Sequence, residues 1–495
     1  MSNNDPTMAV TRLFDPQEMK SADLSAARMG MMPAALIANA GNAVAEWVLA
    51  LVPRPGMVAL LAGPGDNGAD AVAAAGHLRE RGLTTHTFGL SRSVGDAFDG
   101  PLGSFDPECY DLVIDGLFGA GLSRVVEGDA REAIERLNRS ATPVLSIDLP
   151  SGVSGLSGEV LGVAVQADDC ITFERRKPGH LLATGRTLCG RVHVRQIGMP
   201  AQALAEAVAG HAPLYASEPD LWRAHLFRPS AAGHKFDRGH VAVLSGGASQ
   251  TGAARLSAMA ALRGGAGLVT VLSPPSAVLV NAAHLTAIML KSCGDEEALA
   301  DQLSDRRLNA FVLGPGFGVG DRARRYTLAI LSSDRRLVLD ADGLTSFQDE
   351  PNLLSLPADA GWEGDTRLVL TPHAGEFARL FPDLASTDLA KPERARRAAA
   401  RSGAVVVLKG ADTVIAAPDG RAAINTSGSL WLATAGSGDV LAGIIAAQLA
   451  QGLPTFEAAC AAVWIHGRAG ELFGPGLIAE DLPGLVPKVL SELLV

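Results

Sequence analysis

Residues 434–446, TAGSGDVLAGIIA, decide the fold of the second half of this chain. They place a Gly-Ser-Gly turn and Asp439 directly before an apolar run with helical character. The free N–H groups and the dipole at such a helix start attract anions, and Gly436 and Gly438 carry no Cβ to keep a phosphate away. Asp439 then lies where it can take a proton from a hydroxyl group. The stretch predicts a helix with a phosphate site at its start; tight packing of small residues is the alternative explanation for the glycines.

Composition limits the classes of protein to which the chain can belong. The 495 residues are 47% hydrophobic and only 5% aromatic, which favours an α/β protein packed with Ala, Val and Leu. A formal charge of −11 argues against nucleic acid as a partner, because that partner needs a basic face. The five cysteines are scattered without CxxC spacing, which indicates reduced thiols. We find no apolar run of membrane-spanning length and no signal sequence, and we predict a cytoplasmic protein without membrane contact.

Both halves of the chain alternate short apolar strands with helical stretches, which predicts two three-layer α/β domains with mainly parallel sheets. A change of character over 198–221 indicates the passage between them, so the predicted domains are 1–215 and 222–495. The predicted strands of the first domain are 58–62, 85–90, 111–115, 143–148, 168–173 and 191–196. Those of the second are 240–245, 268–272, 310–313, 337–340, 368–370 and 405–409.

Three motifs of the first domain follow predicted strands: 63–70 (GPGDNGAD), 115–124 (DGLFGAGLSR) and 148–152 (DLPSG). Ligands of open α/β sheets collect at the carboxyl ends of the strands, so these motifs are expected to converge. Asn67, Asp115 and Ser151 offer hard oxygen atoms that can bind a cation. Capping of helices and turns is the alternative role of the aspartates.

With the preceding MMPAALIANAG segment, these motifs resemble the epimerase domain of the bifunctional NAD(P)H-hydrate repair enzymes. The resemblance implies a Rossmann-like domain that interconverts the R and S forms of hydrated NADH and NADPH. It implies that Asp148 helps to move a proton and that Asn67, Asp115 and Ser151 bind K⁺. The residues it assigns to the hydrate are Asp66, Asn67, Gly68, Ala69, Asp70, Gly119, Ala120, Gly121, Leu122, Ser123, Arg124 and Val125.

The first domain departs from the usual family motif GPGNNGGDG at three positions. Asp66 replaces an asparagine and adds negative charge beside a phosphate-bearing ligand, while Ala69 and Ala71 replace glycines. These departures keep a non-catalytic binding module open as the alternative for this domain.

The second domain combines 251–255 (TGAAR), 314–318 (GPGFG), 371–376 (TPHAGE) and 409–413 (KGADT) before the GSGD turn. This order resembles the hydrate dehydratase domain of the same family, which has the ribokinase-like fold and uses ADP or ATP. The resemblance implies that Asp439 activates the hydroxyl group, that Mg²⁺ and ADP take part, and that the protein is a homo-oligomer. It assigns Ala253, Gly316 and His373 to the hydrate, and Lys409, Gly410, Ala411, Asp412, Thr413 and Gly438 to the nucleotide.

The residue types of the second domain can support the dehydration chemistry that the resemblance implies. Phosphorylation turns the poor leaving group at C6 of the hydrated nicotinamide into a good one, and the ring nitrogen can then expel it. Asp340 and Asp342 are candidates to hold Mg²⁺ through water, with turn capping as the alternative. A vitamin or thiazole-alcohol kinase is the alternative for this domain, since the GSGD turn is common to both; TPHAGE and KGADT favour the dehydratase.

Overall fold

The computed structural model describes residues 11–90, 98–230, 232–355 and 365–494. The chain forms two compact units, which we call the N-terminal unit (Arg12–Pro213) and the C-terminal unit (Leu214–Val495). Both units contain a mainly parallel sheet covered by helices, so the predicted α/β class is confirmed.

The elements of the N-terminal unit alternate as predicted. Its strands are β1 (Arg12–Leu13), β2 (Met57–Ala62), β3 (Thr84–Gly89), β4 (Gly100–Pro101), β5 (Leu112–Gly116), β6 (Val144–Ile147), β7 (Asp169–Phe173) and β8 (Arg191–Arg195). Its helices are α1 (Pro16–Arg28), α2 (Pro33–Leu51), α3 (Asp66–Glu80), α4 (Gly128–Leu137), α5 (Ala183–Leu188) and α6 (Ala201–Ala207). A seven-stranded sheet has the order β4-β3-β2-β5-β6-β7-β8, and all its pairs are parallel.

Alternate residues of each central strand enter two separate cores. Val58 and Leu60 of β2 pack with α1, α2, α3 and α6 on one face, whereas Ala59 and Leu61 pack with α4 on the other. This burial of both faces explains why the strands are continuous apolar runs rather than alternating ones. Helix α2 is long and apolar enough to cross a membrane by length and composition alone. In the structure it packs as a core helix and buries Leu36 against the sheet.

The C-terminal unit repeats this architecture with a larger sheet. Its strands are β9 (Leu214–Ser217), β10 (His240–Leu244), β11 (Leu268–Ser273), β12 (Met289–Ser292), β13 (Ala310–Leu313), β14 (Arg336–Leu339), β15 (Leu368–Leu370), β16 (Val405–Leu408), β17 (Val414–Ala416) and β18 (Ala422–Asn425). Their order is β9-β18-β17-β16-β15-β14-β13-β10-β11-β12, parallel except for β17, which is antiparallel to both neighbours. Its helices are α7 (Pro219–Trp222), α8 (Gly252–Arg263), α9 (Val278–Ala282), α10 (Glu296–Ser304), α11 (Asp321–Ser332), α12 (Asp342–Thr345), α13 (Ala374–Leu380), α14 (Pro382–Ala385), α15 (Lys391–Ser402), α16 (Ser437–Ala450), α17 (Thr455–Phe473) and α18 (Leu482–Leu494).

Helix α16, which the opening stretch predicts, lies at the centre of this unit. It packs on α8 and α17, and its residues from Val440 to Ala450 are buried. A Cβ on Gly443 would lie 2.1 Å from the backbone oxygen of Ser257, so only glycine permits this close approach of α8 and α16. Ser257 Oγ also donates a hydrogen bond of 2.7 Å to the backbone oxygen of Asp439.

The segment 198–221, predicted as the passage between domains, includes the boundary between the two units after Pro213. It contains α6, which packs on α1 of the N-terminal unit, and β9 and α7 of the C-terminal unit. Strand β9 joins β18 through a parallel register, which sequence periodicity in such a short segment could not indicate.

Candidate functional site

The candidate site of the C-terminal unit is built on the carboxyl ends of three neighbouring strands. Asp340 follows β14, Thr371 follows β15 and Lys409 follows β16. Lys409 Nζ donates to Asp340 Oδ1 at 2.8 Å, and Thr371 Oγ1 donates to the same oxygen at 2.7 Å. Burial would lower the pKa of Lys409, but Asp340 and Glu376 outweigh it and raise that pKa. A buried ammonium group is therefore held in its charged form at this edge of the sheet.

The start of α16 faces this ammonium group. Gly436 adopts φ of 86°, and no side chain caps the helix within the described part of the chain. A Cβ on Gly438 would lie 3.5 Å from Lys409 Nζ and 3.8 Å from Asp340 Oδ2. Open helix N–H groups and a lysine thus point to one space, as the binding of a phosphate group requires.

Asp439 lies in the first turn of α16. Burial and the neighbouring charge of Asp340 raise its pKa from 3.8 to about 6, although Lys409 opposes the shift. A carboxylate with this pKa is ionised at neutral pH and is a stronger base than an exposed aspartate. The arrangement can therefore accept a proton beside a bound phosphate.

The predicted hydrate residues of this unit have different surroundings. Ala253 Cβ lies 3.5 Å from the position of a Cβ on Gly316, so these two residues are neighbours. His373 instead caps its own helix, since Nδ1 accepts from the backbone N–H of Gly375 at 2.9 Å. No hydrogen bond or ion pair joins His373 to Asp439 in the residues described. The side chain of His373 is 56% exposed, so it remains open to a ligand.

The predicted nucleotide loop 409–413 is tied together and contacts a lysine that the sequence did not single out. Thr413 Oγ1 donates to the backbone oxygen of Gly410 at 2.9 Å. Lys391, the first residue of α15, forms an ion pair with Asp412, and a Cβ on Gly410 would lie 2.6 Å from Lys391 Nζ. Burial lowers the pKa of Lys391. A second cation therefore lies at the nucleotide loop.

The two magnesium candidates have separate environments. Asp340 is 2% exposed and holds Lys409, whereas Asp342 Oδ2 accepts from the backbone N–H of Gly318 at 2.9 Å. Asp342 therefore caps a turn, and it lies near enough to Asp439 to help raise the pKa of that residue. The structure thus shows turn capping by Asp342, whereas Oδ1 of Asp340 accepts from Lys409 and Thr371.

The candidate site of the N-terminal unit centres on Asp148, which adopts φ of 63° after β6. Its Oδ2 accepts from the backbone N–H of Ala120 at 2.8 Å, and its Oδ1 accepts from Thr172 Oγ1 at 3.0 Å. Lys177 Nζ lies 2.7 Å from Oδ1. Burial alone would raise the pKa of Asp148, but Lys177 and the hydrogen bonds lower it to about 2. The carboxylate is a fixed negative charge.

Two of the predicted cation ligands form a hydrogen-bonded pair, and the third lies beside Asp148. Ser151 Oγ donates to Asp115 Oδ1 at 2.5 Å and accepts from the N–H of Phe118 at 2.8 Å. A Cβ on Gly119 would lie 3.0 Å from Asp148 Oδ2 and 3.4 Å from Asn67 Oδ1. The buried Nδ2 of Asn67 has no hydrogen-bond partner among the described residues. The unpartnered Nδ2 is a donor and fits an acceptor oxygen of a polar ligand, whereas Oδ1 of Asn67 is the atom that could bind a cation.

Two further groups at this site, Lys177 and Asp23, escaped the sequence motifs. Lys177 is 3% exposed and lies in a loop after β7. Asp23 of α1 interacts electrostatically with Lys177, Asp66 and Asp148, and burial raises its pKa to about 6. Asp70, which the motif did include as a ligand contact, has its pKa raised to about 8 by burial and then by Asp148. Several carboxyl groups thus surround one ammonium group.

The remaining predicted contacts of the N-terminal unit differ in exposure. The residues that line the surface are Asp66, Gly121, Ser123, Arg124 and Val125, with Leu122 and Ala69 half-buried. Gly68 is buried, and a Cβ there would lie 1.9 Å from the backbone oxygen of Gly63, so its role in the structure is close packing of the turn. A ligand could contact the exposed residues directly.

The family described as NAD(P)H-hydrate dehydratase matches residues 241–485, and the family described as YjeF-related protein N-terminus matches 33–99 and 96–179. The chain is 34% identical to the bifunctional NAD(P)H-hydrate repair enzyme Nnr of Thermofilum pendens, covering 96% of this chain and 95% of the relative. It is 38% identical to the enzyme of that name from Gloeobacter violaceus, covering 96% and 97%.

Among solved structures, the chain is similar to an ADP/ATP-dependent NAD(P)H-hydrate dehydratase from Bacillus subtilis that was co-crystallised with ATP and Mg²⁺. The identity is 28% and the TM-score 0.47, over 56% of this chain and 98% of that chain. These two relatives are each more than 30% identical to this chain over 96% of its length. This chain therefore belongs to the family of bifunctional NAD(P)H-hydrate repair enzymes.

Proposed function

We propose that this chain repairs hydrated NADH and NADPH through two activities. The N-terminal unit interconverts the R and S hydrates, and the C-terminal unit dehydrates the S form, converting ADP to AMP and phosphate. The observation that carries the proposal is the arrangement of Asp439, Lys409 and the uncapped start of α16 around one space. Membership of the family supports the assignment of the two substrates.

In the dehydratase reaction, Asp439 accepts the proton of the C6 hydroxyl group. The hydroxyl oxygen at the same time attacks the terminal phosphorus of the nucleotide. The N–H groups of Gly438 and its neighbours, with Lys409, hold the transferring phosphate. The bond to the nucleotide breaks and AMP leaves. The C6–O bond then breaks, the ring nitrogen supplies its electron pair, and loss of a C5 proton restores the dihydronicotinamide. Phosphate leaves with the former hydroxyl oxygen.

We assign the nucleotide to the loop 409–413 and to Gly438, and the hydrate to Ala253, Gly316 and His373. Mg²⁺, when bound, would offset phosphate charge, and Asp340 and Asp342 carry the carboxylates that can hold its water shell. Lys391 adds positive charge beside the loop at Gly410.

In the epimerase reaction, we assign the hydrate to 66–70 and 119–125, which meet where Asn67 and Asp148 adjoin Gly119. The ionised Asp148 accepts a hydrogen bond from the C6 hydroxyl and so directs its proton. K⁺, when bound by oxygens of Asn67, Asp115 and Ser151, would offset the negative charge of Asp66 near the substrate phosphates. A cytoplasmic homo-oligomer stays a prediction from the sequence and the resemblance.

The full-length protein can be tested with a mixture of both hydrates, Mg²⁺ and either ADP or ATP. The proposal expects complete conversion to NADH or NADPH, because full conversion needs epimerisation as well as dehydration. Conversion that stops when the S form is exhausted would contradict the epimerase assignment. A stable phosphorylated product without recovery of NADPH absorbance would indicate a small-alcohol kinase instead.

A variant separates chemistry from binding in the C-terminal unit. Asp439→Ala is expected to abolish dehydration while largely retaining ADP affinity in calorimetry, because the helix N–H groups and Lys409 remain. The matched control is Asp349→Ala, an exposed aspartate of the same unit, which should behave as the unchanged protein. Near-normal turnover of Asp439→Ala would refute the assigned role.

A further inference from the structure

Two cysteines and a histidine meet behind Asp148 in the N-terminal unit. Cys170 lies in β7, His180 ends the short helical turn Pro178–His180, and Cys189 follows α5. Their ligand atoms all lie within 4.8 Å of one another. Cys170 and Cys189 are fully buried, and His180 is 1% exposed. We call these three residues the Cys₂His cluster; the proposed reactions do not use them.

The spacing of the Cys₂His cluster is close to that of a tetrahedral metal site. Zn–S bonds of about 2.3 Å and Zn–N bonds of about 2.0 Å place adjacent ligand atoms about 3.5–3.8 Å apart. Cys170 Sγ already lies 3.9 Å from His180 Nε2. A contraction of less than about 1 Å would therefore complete the three-ligand geometry.

The backbone oxygen of Asp148 is placed to be a fourth ligand. It lies 3.1 Å from Cys170 Sγ and 2.7 Å from His180 Nε2. His180 Nδ1 accepts a hydrogen bond from the backbone N–H of Lys177 at 2.9 Å and lies 3.2 Å from the backbone oxygen of the same residue. Metal binding at Nε2 would exchange the first contact for a hydrogen bond that Nδ1–H donates to the Lys177 oxygen. A backbone carbonyl is a common partner for the second nitrogen of a metal-binding histidine. The cluster thus has both a complete ligand set and a support for it.

The surroundings favour a neutral metal complex. Apolar side chains of Ala120, Leu149 and Val153 enclose the two thiols. Binding of Zn²⁺ releases one proton from each thiol, and the histidine proton moves from Nε2 to Nδ1. Two thiolates then balance the two charges of the ion, so that no net charge enters the apolar pocket. Thiolate and imidazole ligands select zinc over the hard cations Mg²⁺ and K⁺.

We propose that Cys170, His180 and Cys189, with the backbone oxygen of Asp148, form a binding site for Zn²⁺ or a similar thiophilic ion. The bound ion fixes the backbone of Asp148, whose carboxylate contacts Lys177 and the backbone N–H of Ala120. This site is independent of the proposed repair activity, because it rests on the ligand geometry alone.

The site can be tested on the full-length protein, purified with a reductant and freed of metal with a chelator. One equivalent of Co²⁺ should produce a thiolate-to-cobalt charge-transfer band, and Zn²⁺ should bleach it. Native mass spectrometry should show one zinc bound with loss of two protons. Cys170→Ser and Cys189→Ser should each lose the band and the bound zinc. The controls Cys109→Ser and Cys293→Ser alter one exposed and one buried thiol outside the cluster and should keep both signals.

The native mass measurement on the unchanged protein keeps the proposal falsifiable even if a variant fails to fold. Absence of bound zinc in the reduced, unchanged protein at one equivalent would overturn the proposal. Equal cobalt spectra for Cys170→Ser and the unchanged protein would overturn it too. A Cys170–Cys189 disulfide that forms with peroxide, in a reduced protein that binds no metal, would identify the cluster as a thiol pair instead.

Discussion

Replacing Asp439 by asparagine is predicted to stabilise the protein while it abolishes dehydration. The pKa of this carboxyl group is raised from 3.8 to about 6 by burial and by Asp340. The folded state therefore holds the proton more tightly than the unfolded state does. The free energy of unfolding falls as pH rises from 3.8 to 6. Above pH 6 the folded state bears the full free-energy cost of the charged carboxylate.

The size of the effect follows from the shift. A rise of about 2 units at 1.36 kcal/mol per unit corresponds to about 3 kcal/mol at neutral pH. Asp439→Asn removes this cost and should raise the free energy of unfolding by about 2–3 kcal/mol at pH 7.5. At pH 4 the folded carboxyl group is protonated and its unfolded counterpart is partly so, and the gain should fall below about 1 kcal/mol.

Urea unfolding at pH 4 and pH 7.5, followed by tryptophan fluorescence, measures the free energy of unfolding of the variant and of the unchanged protein. Trp222, Trp431 and Trp464 report the C-terminal unit. Asp349→Asn is the control, because this aspartate is exposed and the substitution should leave stability unchanged at both pH values. The reasoning would be refuted if Asp439→Asn were no more stable than the unchanged protein at pH 7.5. It would also be refuted if the gain in free energy of unfolding were the same at pH 4 and pH 7.5.

The dehydratase kcat/KM is predicted to rise with pH through about 6, because Asp439 must be ionised to act as a base; a profile flat between pH 5 and 7 would contradict this. Lys177→Met should slow R/S exchange and lower the free energy of unfolding by about 1–3 kcal/mol, since it leaves the half-buried Asp148 without its cation. Gly119→Ala should slow R/S exchange about tenfold or more and leave dehydration unchanged, because its Cβ would displace Asp148. Lys391→Met should raise the Kd for ADP about tenfold by calorimetry, with epimerase rates as the internal control.

Short apolar strands that alternate with helical stretches were sufficient to predict the α/β class, and glycine-rich turns after them indicated the sites. The GSGD motif opens α16, with Gly436 directly before the helix and Asp439 in its first turn, and the motif containing Asn67 opens α3 after β2. Such turns are local in sequence: strand, turn and helix are contiguous, and their residue types follow from backbone geometry. For the same reason, Asp148 and Lys409, which lie at the ends of predicted strands, could be placed at the carboxyl edges of their sheets.

Contacts that join distant segments could not be predicted in this way. Lys177 reaches Asp148 from the loop after the next strand, and Lys391 reaches Gly410 from the start of α15. A lone lysine in a loop has no periodic signal, since most lysines are solvated. The antiparallel strand β17 was likewise missed, because its three residues are too few to show a period.

The close contact between α8 and α16 has a consequence for changing the substrate of this protein. The Ser257 hydrogen bond and the Gly443 approach fix the register of two helices whose first turns carry Ala253 and Asp439. Directed evolution toward other hydroxyl compounds should therefore find tolerated changes in the surrounding loops rather than at the helix crossing. A library that varies position 443 should yield mostly unfolded proteins, whichever new alcohol is selected.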